Sequence, residues 1–226
     1  MKQTVLILIA FFMVFLISCD KTDKFVPSQL FTEYFPLKIG NYIIYDVDST
    51  GFNTQKSRYS YELKDVVADT FYDQEKRLNY RIERYHRSAS PDPWELREVW
   101  TAIPSEIKLI TFEQNINYVR LFFPVNLDQL WNLNAYNNHG PLNVNYSDIH
   151  KPFKMGTVFV DSSVTVIEKA DTQNLVRNEF RKRVYGFQTG LVYLYTDSLK
   201  LEFHPQRKGD TIGGYQLKYI IKEHNY

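Results

Sequence analysis

The chain has 226 residues, 44% of them hydrophobic and 16% aromatic, and a formal net charge of +1. Its 17 tyrosines and 16 phenylalanines, against nine glycines and nine prolines, exclude a disordered or low-complexity chain, because they supply ample apolar surface for a core. The near-zero charge argues against a nucleic-acid partner, which requires a basic excess. The single cysteine excludes an intrachain disulfide.

The first 18 residues have the features of a secretion signal. Lys2 provides a positive charge, and residues 5–17 follow without any polar side chain. As a helix this apolar run would extend only about 20 Å, whereas the hydrocarbon core of a bilayer is about 30 Å thick. The pattern therefore predicts a signal peptide over residues 1–18.

The segment Leu16-Ile17-Ser18-Cys19 resembles the bacterial lipobox, an aliphatic residue and a small residue ahead of a cysteine. The resemblance implies that Cys19 becomes the first residue of the mature protein and carries a diacylglyceryl group. Several acyl chains anchor a protein stably, whereas one chain does so only marginally. The alternative is a plain secretory signal with an incidental cysteine, or an N-terminal anchor helix.

The rest of the chain divides into a tether and a domain. Residues 19–33 are mostly polar and contain Pro27, so they are predicted to hold the domain away from the membrane. Residues 34–226 are predicted to form a single all-β domain. The first strand is expected at residues 43–48, followed by a loop at 49–53.

Apolar residues then recur mostly at every second position, which is typical of antiparallel strands with one buried and one exposed face. In the segment around Arg120, this alternation places Val119 and Leu121 on the buried face and the arginine on the exposed one. The alternating apolar pairs and triplets are Tyr59, Tyr61 and Leu63; Leu78, Tyr80 and Ile82; Trp94 and Leu96; Ile107 and Leu109; and Val119 and Leu121. Segments rich in Pro, Ser and Asn separate these runs and predict a meander.

Longer strands are predicted in the second half, at residues 157–169, 175–187, 191–203 and 215–222, with a hairpin turn at 207–214. In the first of them Val158, Val166 and Glu168 share one face. The best helical stretch, residues 126–133, is short. The fold class is therefore all-β: an antiparallel meander forming a curved half-barrel, a barrel or a sandwich, with at most short helices.

The segment Tyr34-Phe35-Pro36-Leu37-Lys38-Ile39-Gly40-Asn41-Tyr42 resembles one found near the start of uncharacterised envelope lipoproteins of the Bacteroidota. The segment at residues 185–193, with Gly186 and Gly190, resembles one near their C-termini. Both motifs look structural, a strand entry led by proline and a turn permitted by glycine. The resemblance implies a lipid-anchored envelope protein and brings no activity with it.

The most unusual stretch is residues 132–145, which contain six asparagines. A long loop in a compact β domain is often functional, and amides beside aromatic faces suit a glycan-binding surface. The alternative is a polar loop whose aromatic rings pack into the core. The candidate ligand surface consists of Trp131, Asn134, Tyr136, Asn138 and His139.

Other site chemistry is sparse. The five histidines show no zinc-type spacing, and we find neither a nucleophile elbow nor a phosphate-binding glycine loop. We therefore expect no metal, no cofactor and no enzymatic activity. The resemblance to Bacteroidota proteins implies possible O-glycan acceptors where Ser or Thr follows Asp, namely Thr211, Ser198 and Ser49.

These observations predict a lipid-anchored cell-envelope protein that binds a glycan or an apolar ligand, or has a structural role. The expected location is the outer membrane, on its periplasmic face or at the cell surface. One alternative is an accessory subunit that docks to an envelope protein complex, and a less favoured one is an envelope hydrolase.

Overall fold

The computed structural model describes residues 32–53, 55–205 and 208–226. These residues form one antiparallel sheet of twelve strands, preceded by a short 3-10 helix at Thr32–Tyr34. The strands are β1 (Tyr42–Phe52), β2 (Lys56–Tyr72), β3 (Leu78–Arg87), β4 (Glu95–Pro104), β5 (Lys108–Glu113), β6 (Ile116–Phe122), β7 (Leu130–Asn132), β8 (Asn143–Met155), β9 (Val158–Asp171), β10 (Arg177–Gly186), β11 (Gly190–Leu201) and β12 (Thr211–His224). The predicted signal peptide, Cys19 and most of the predicted tether lie outside the described residues.

The sheet is nearly closed into a barrel. Strands that are consecutive in sequence pair with each other, except β6 and β7, and β1 also pairs with β12, so the sheet order runs from β6 through β1 and β12 to β7. Between β6 and β7, a junction we call the seam, one backbone hydrogen bond runs from Val119 N to Leu133 O at 2.9 Å. The all-β antiparallel prediction is confirmed, and of the alternatives left open the chain adopts the barrel.

Aromatic side chains fill the seam. The Trp131 ring lies 4.8 Å from that of Tyr146, and its Nε1 donates to Val119 O at 2.8 Å. The Tyr146 hydroxyl accepts from Phe122 N at 3.0 Å and donates to Phe122 O at 2.8 Å. Side chains of β7 and β8 therefore satisfy backbone groups of β6 that a neighbouring strand would otherwise bind.

Some predicted boundaries are wrong. The expected loop at 49–53 continues β1 as far as Phe52, because this segment pairs with both β2 and β12. Residues 126–133 form a turn and β7 instead of a helix. Beyond them, β8 takes up the last three residues of the predicted asparagine-rich loop and continues past it: Val144 and Tyr146 are buried, while Asn143 and Asn145 face solvent. The alternation was present, but its polar positions are asparagines and resemble a loop.

The last hairpin is also displaced. Its connection comprises residues 202–210, and β12 begins at Thr211, inside the predicted turn at 207–214. Gly214 lies within the strand at φ +101°, next to a register shift between Lys200 and Leu201. A Cβ at Gly214 would stand 2.0 Å from Ser198 O, so the glycine permits close approach of β11 rather than a turn.

The N-terminal segment packs into the barrel interior. Tyr34 is fully buried, and its hydroxyl hydrogen-bonds with His150 Nδ1 at 2.7 Å and Ser162 Oγ at 3.0 Å. The next three residues, Phe35, Pro36 and Leu37, line the barrel interior and are called the N-terminal plug here. The chain thus contributes buried core from Tyr34 onward.

Candidate functional site

Charged side chains cross the middle of the barrel interior. They come from strand positions in phase with buried apolar residues: Glu168 follows Val164 and Val166 on β9, and Arg183 precedes Tyr185 on β10. Because side chains of a strand alternate between faces, these charged groups must point inward. We call this set the charge belt, and it consists of Asp65, Arg84, Glu113, Arg120, Glu168 and Arg183.

Arg120 is the centre of the belt. Its Nε and Nη2 donate to the two carboxylate oxygens of Glu113, each at 3.0 Å, and its Nη1 donates to Glu168 Oε1 at 3.0 Å. The side chain is 6% exposed. The prediction that Arg120 faces solvent is therefore wrong, because ion pairs with two carboxylates compensate for its burial.

The other two arginines of the belt are paired as well. Arg183 Nε donates to Glu168 Oε1 at 2.7 Å, so this carboxylate serves two arginines. Arg84 binds Asp65 through two parallel hydrogen bonds, Nε to Oδ1 and Nη2 to Oδ2, each 2.7 Å long. Two-point pairing of this kind fixes both side chains in one geometry.

Burial and ion pairing act in opposite directions on the pKa values of the two belt glutamates, Glu113 and Glu168. Burial alone would raise the pKa of Glu113 and of Glu168, but the charges of Arg120 and Arg183 outweigh it and hold both pKa values below the ordinary 4.5. Burial also raises the pKa of the nearby Tyr185 hydroxyl to about 12. Both glutamates are therefore ionised at neutral pH and hold no proton to donate as general acids.

A small space, called the chamber here, lies between the N-terminal plug and the charge belt. Its apolar wall includes Phe35, Leu37, Ile43, Val67, Ile82 and Leu191. Trp100 lines the chamber too, and its buried Nε1 donates to no described residue. The centre of a water molecule can move within about 50 Å³ there. One water needs about 10–15 Å³ of such space, so the chamber suits a few waters.

A larger space, called the cup, lies on the other side of the charge belt. The centre of a water molecule can move within about 270 Å³ there. Four charged residues border both the cup and the chamber, namely Arg84, Glu113, Arg120 and Arg183. Gln114 and Glu98 also line the cup, joined by a hydrogen bond from Nε2 to Oε1 at 3.0 Å. The rest of the cup's lining comprises Tyr118, Leu133, Glu168, Arg181, Leu194, Thr196, Tyr215, Leu217 and Tyr219.

The predicted ligand surface is divided between the core and solvent. Trp131 is buried in the seam, and Asn134 Nδ2 donates to Gly140 O at 2.8 Å within the loop. The Tyr136 ring is half exposed, with Lys108 Nζ 4.6 Å from its centroid. Asn138 and His139 are exposed. The Trp131 ring packs against Phe122 and Tyr146, so it belongs to the barrel wall.

The three predicted O-glycan acceptors differ in accessibility. Thr211 is exposed at the start of β12, whereas Ser198 and Ser49 are partly buried within β11 and β1. Asp197, beside Ser198, accepts a hydrogen bond from Asn178 Nδ2 at 2.8 Å. Modification at these positions stays a prediction.

Sequence reasoning missed the belt and the cup. A signal was present at Arg84, Glu168 and Arg183, each of which falls in phase with buried apolar residues of its strand. A charge in such a position predicts an inward-facing ion pair, because buried charges require partners. The partners themselves, such as Glu113 for Arg120, could not be identified without the closure of the barrel.

Two further features of the described residues bear on function. They contain no group of three or more histidine, cysteine, aspartate or glutamate side chains arranged to hold a metal ion. None of their helices has the length and hydropathy needed to cross a membrane.

Comparisons with known proteins give one structural likeness. No family model matches the chain, and no curated protein matches it. A solved structure described as a "putative lipoprotein" from Parabacteroides distasonis is 10% identical, with a TM-score of 0.39. The likeness covers 85% of this chain and 98% of that one. A likeness at this TM-score carries no inference about the function of the present chain.

Proposed function

We propose that the protein is a lipid-anchored cell-envelope lipoprotein whose barrel binds a small saccharide in the cup. The observation that carries the proposal is the cup itself, a concave space of about 270 Å³ whose floor is fixed by the ion pairs of the charge belt. Binding sites of small molecules are concave and carry a few fixed polar groups. We propose a binding role and no catalysis, since the belt glutamates are ionised and paired.

The lining favours a saccharide over other small molecules. Tyr118, Tyr215 and Tyr219 supply aromatic rings, which pack against the apolar faces of sugars. Thr196, Gln114 and Glu98 supply hydroxyl, amide and carboxylate groups that can bind sugar hydroxyls. The sequence predicts such a combination of stacking and hydrogen-bonding groups in the asparagine-rich loop, and the cup has one on the inner face of the sheet.

The chamber does not support an apolar ligand. Its volume of about 50 Å³ is too small for an acyl chain, and the N-terminal plug covers it on one side. On the other side the charge belt separates it from the cup. An apolar chain entering from the cup would have to displace paired charges, which is costly.

The cup is tested with an oligosaccharide array and the detergent-solubilised protein, followed by calorimetry with the bound sugars. Tyr215, which is 47% exposed, is changed to Ala, and Tyr72, 71% exposed and not part of the cup, is the matched control. We expect Tyr215→Ala to weaken binding at least tenfold and Tyr72→Ala to leave it unchanged. Absence of binding to any oligosaccharide would overturn the proposal.

The anchor is tested separately by changing Cys19 to Ala. We expect the variant to leave the membrane fraction and remain folded, because the acyl chains would be lost while the barrel is unaffected. Fractionation and circular dichroism measure the two results. A Cys19→Ala protein that stays in the membrane fraction would contradict lipidation at this residue.

A further inference from the structure

Charges of both signs line the cup. Its lining contains four arginines, Arg84, Arg120, Arg181 and Arg183, and three glutamates, Glu98, Glu113 and Glu168. Three of the arginines have ionic partners: Arg84 binds Asp65, Arg120 binds Glu113 and Glu168, and Arg183 binds Glu168. Within the described part of the chain, Arg181 makes no ion pair and no side-chain hydrogen bond.

Arg181 faces the cup because of its position on β10. It lies two residues before Arg183 and four before Tyr185, which both point inward, and it pairs with Thr196 of β11, another residue of the lining. Its charge contributes to the lowered pKa of Glu168, as expected for a group on the same inner face. Arg181 as a whole residue is partly buried.

The carboxylates that line the cup are engaged by residues other than Arg181. Arg183 is on the same face of the same strand, and the repulsion between the two cations is weakly screened inside a concave site. Glu168 already accepts hydrogen bonds from Arg120 and Arg183, and Glu113 is held by both of its oxygens on Arg120. Glu98 is engaged by Gln114 and lies 3.9 Å from Arg84.

We propose that the cup selects acidic saccharides and that Arg181 binds their carboxylate. The inference rests on the proposed function and specifies its ligand as a sugar that carries a carboxylate, such as a uronic acid. A guanidinium matches a carboxylate with two parallel hydrogen bonds, and a cation without a partner gains most from such a ligand. The tyrosine rings of the cup then contact the sugar ring.

The test compares acidic and neutral sugars that are otherwise alike. The probes are galacturonate oligosaccharides and the corresponding galactose oligosaccharides, which differ in a carboxylate against a hydroxymethyl group. Inorganic phosphate is a third probe. Binding to the detergent-solubilised protein is measured by calorimetry at two salt concentrations. We expect binding of the galacturonates, weaker binding of the neutral sugars by at least tenfold, and a loss of affinity at higher salt.

Variants on one strand assign the effect to Arg181. Arg181→Gln is expected to weaken galacturonate binding at least tenfold and to leave neutral sugars unchanged, whereas Arg181→Lys should keep part of the affinity because the charge remains. Arg177→Gln is the matched control: Arg177 is on the same strand, 51% exposed, and pairs with Asp171 at 2.9 Å outside the cup. Circular dichroism confirms that each variant is folded.

Each result has a defined meaning. Equal binding of neutral and acidic sugars, or acidic binding that Arg181→Gln leaves intact, overturns the role of Arg181 while the saccharide function stands. Inorganic phosphate that binds more tightly than galacturonate, with a loss in Arg181→Gln, overturns the carboxylate as the ligand group. Binding of none of these probes, together with none on the oligosaccharide array, overturns the saccharide function itself.

Discussion

Glu168 is 4% exposed and is shared by two arginines, so it is the residue on which the charge belt depends most. Changing Glu168 to Gln removes the negative charge that Arg120 and Arg183 share. Loss of one member of a buried ion pair typically costs about 3–5 kcal/mol. We expect a decrease of this size in the free energy of unfolding, measured in urea.

A surface pair provides the control for this variant. Lys169 and Glu179 are 3.6 Å apart, with side chains 30% and 31% exposed. Water screens such a pair, so Glu179→Gln should cost at most about 1 kcal/mol. Equal effects of the two substitutions would contradict the structural importance of the belt.

The belt also makes stability depend on pH. The folded pKa of Glu168 is below its ordinary value of 4.5, so the carboxylate stabilises the fold fully above that pH and loses this effect as the pH falls through the lowered pKa. Glu168→Gln lacks this contribution at every pH. The stability gap between the two proteins should be constant near neutrality and should narrow below pH 4.5. Urea unfolding across that range measures it; a gap that widens on acidification would contradict the assignment.

At the scale of single elements, the hairpin of β11 and β12 depends on one glycine. Gly214 has φ +101°, and a Cβ there would lie 2.0 Å from Ser198 O. Gly214→Ala should therefore lower the free energy of unfolding by about 1–3 kcal/mol, the usual cost of a strained backbone position. The thermal unfolding midpoint measures the effect. Gly140→Ala, where a new Cβ meets no atom within 4 Å, should have little effect, and similar shifts in both would contradict this explanation.

The strands differ in how well the sequence predicts them. The alternation in residues 157–169 predicts both β9 and its inner face, which carries Val164, Val166 and Glu168. The three-residue strand β7 could not be predicted, because it is too short to show a period and exists only by pairing with β8.

The inward-facing position of Arg120 could not be predicted either. Val119, Arg120 and Leu121 are all buried, so alternation does not distinguish the two faces of β6 there. The cup could not be predicted from the sequence, because its residues come from strands that only barrel closure brings together.

At the scale of the whole molecule, the seam is where the barrel depends on side chains rather than strand pairing. The buried Tyr146 hydroxyl serves both backbone groups of Phe122. Tyr146→Phe leaves these groups without that partner, and each unsatisfied buried group costs about 1–3 kcal/mol. We expect a loss of stability in urea and faster hydrogen exchange of the Phe122 amide.

The matched control is Tyr59, whose side chain is 62% exposed. Tyr59→Phe should change neither stability nor exchange at Phe122, since its hydroxyl faces water. If Tyr146→Phe behaved in the same way, the Tyr146 hydroxyl would not be what holds β6 to β8.

The N-terminal plug has a consequence for how the molecule stands relative to a lipid surface. Residue 34 enters the barrel on the chamber side of the charge belt, and the cup lies on the other side. If Cys19 carries the proposed lipid anchor, the tether joins the barrel on the side of the charge belt opposite the cup. Under the proposed function, a sugar that reaches Arg181 through the cup then does not pass the point where the tether joins the barrel.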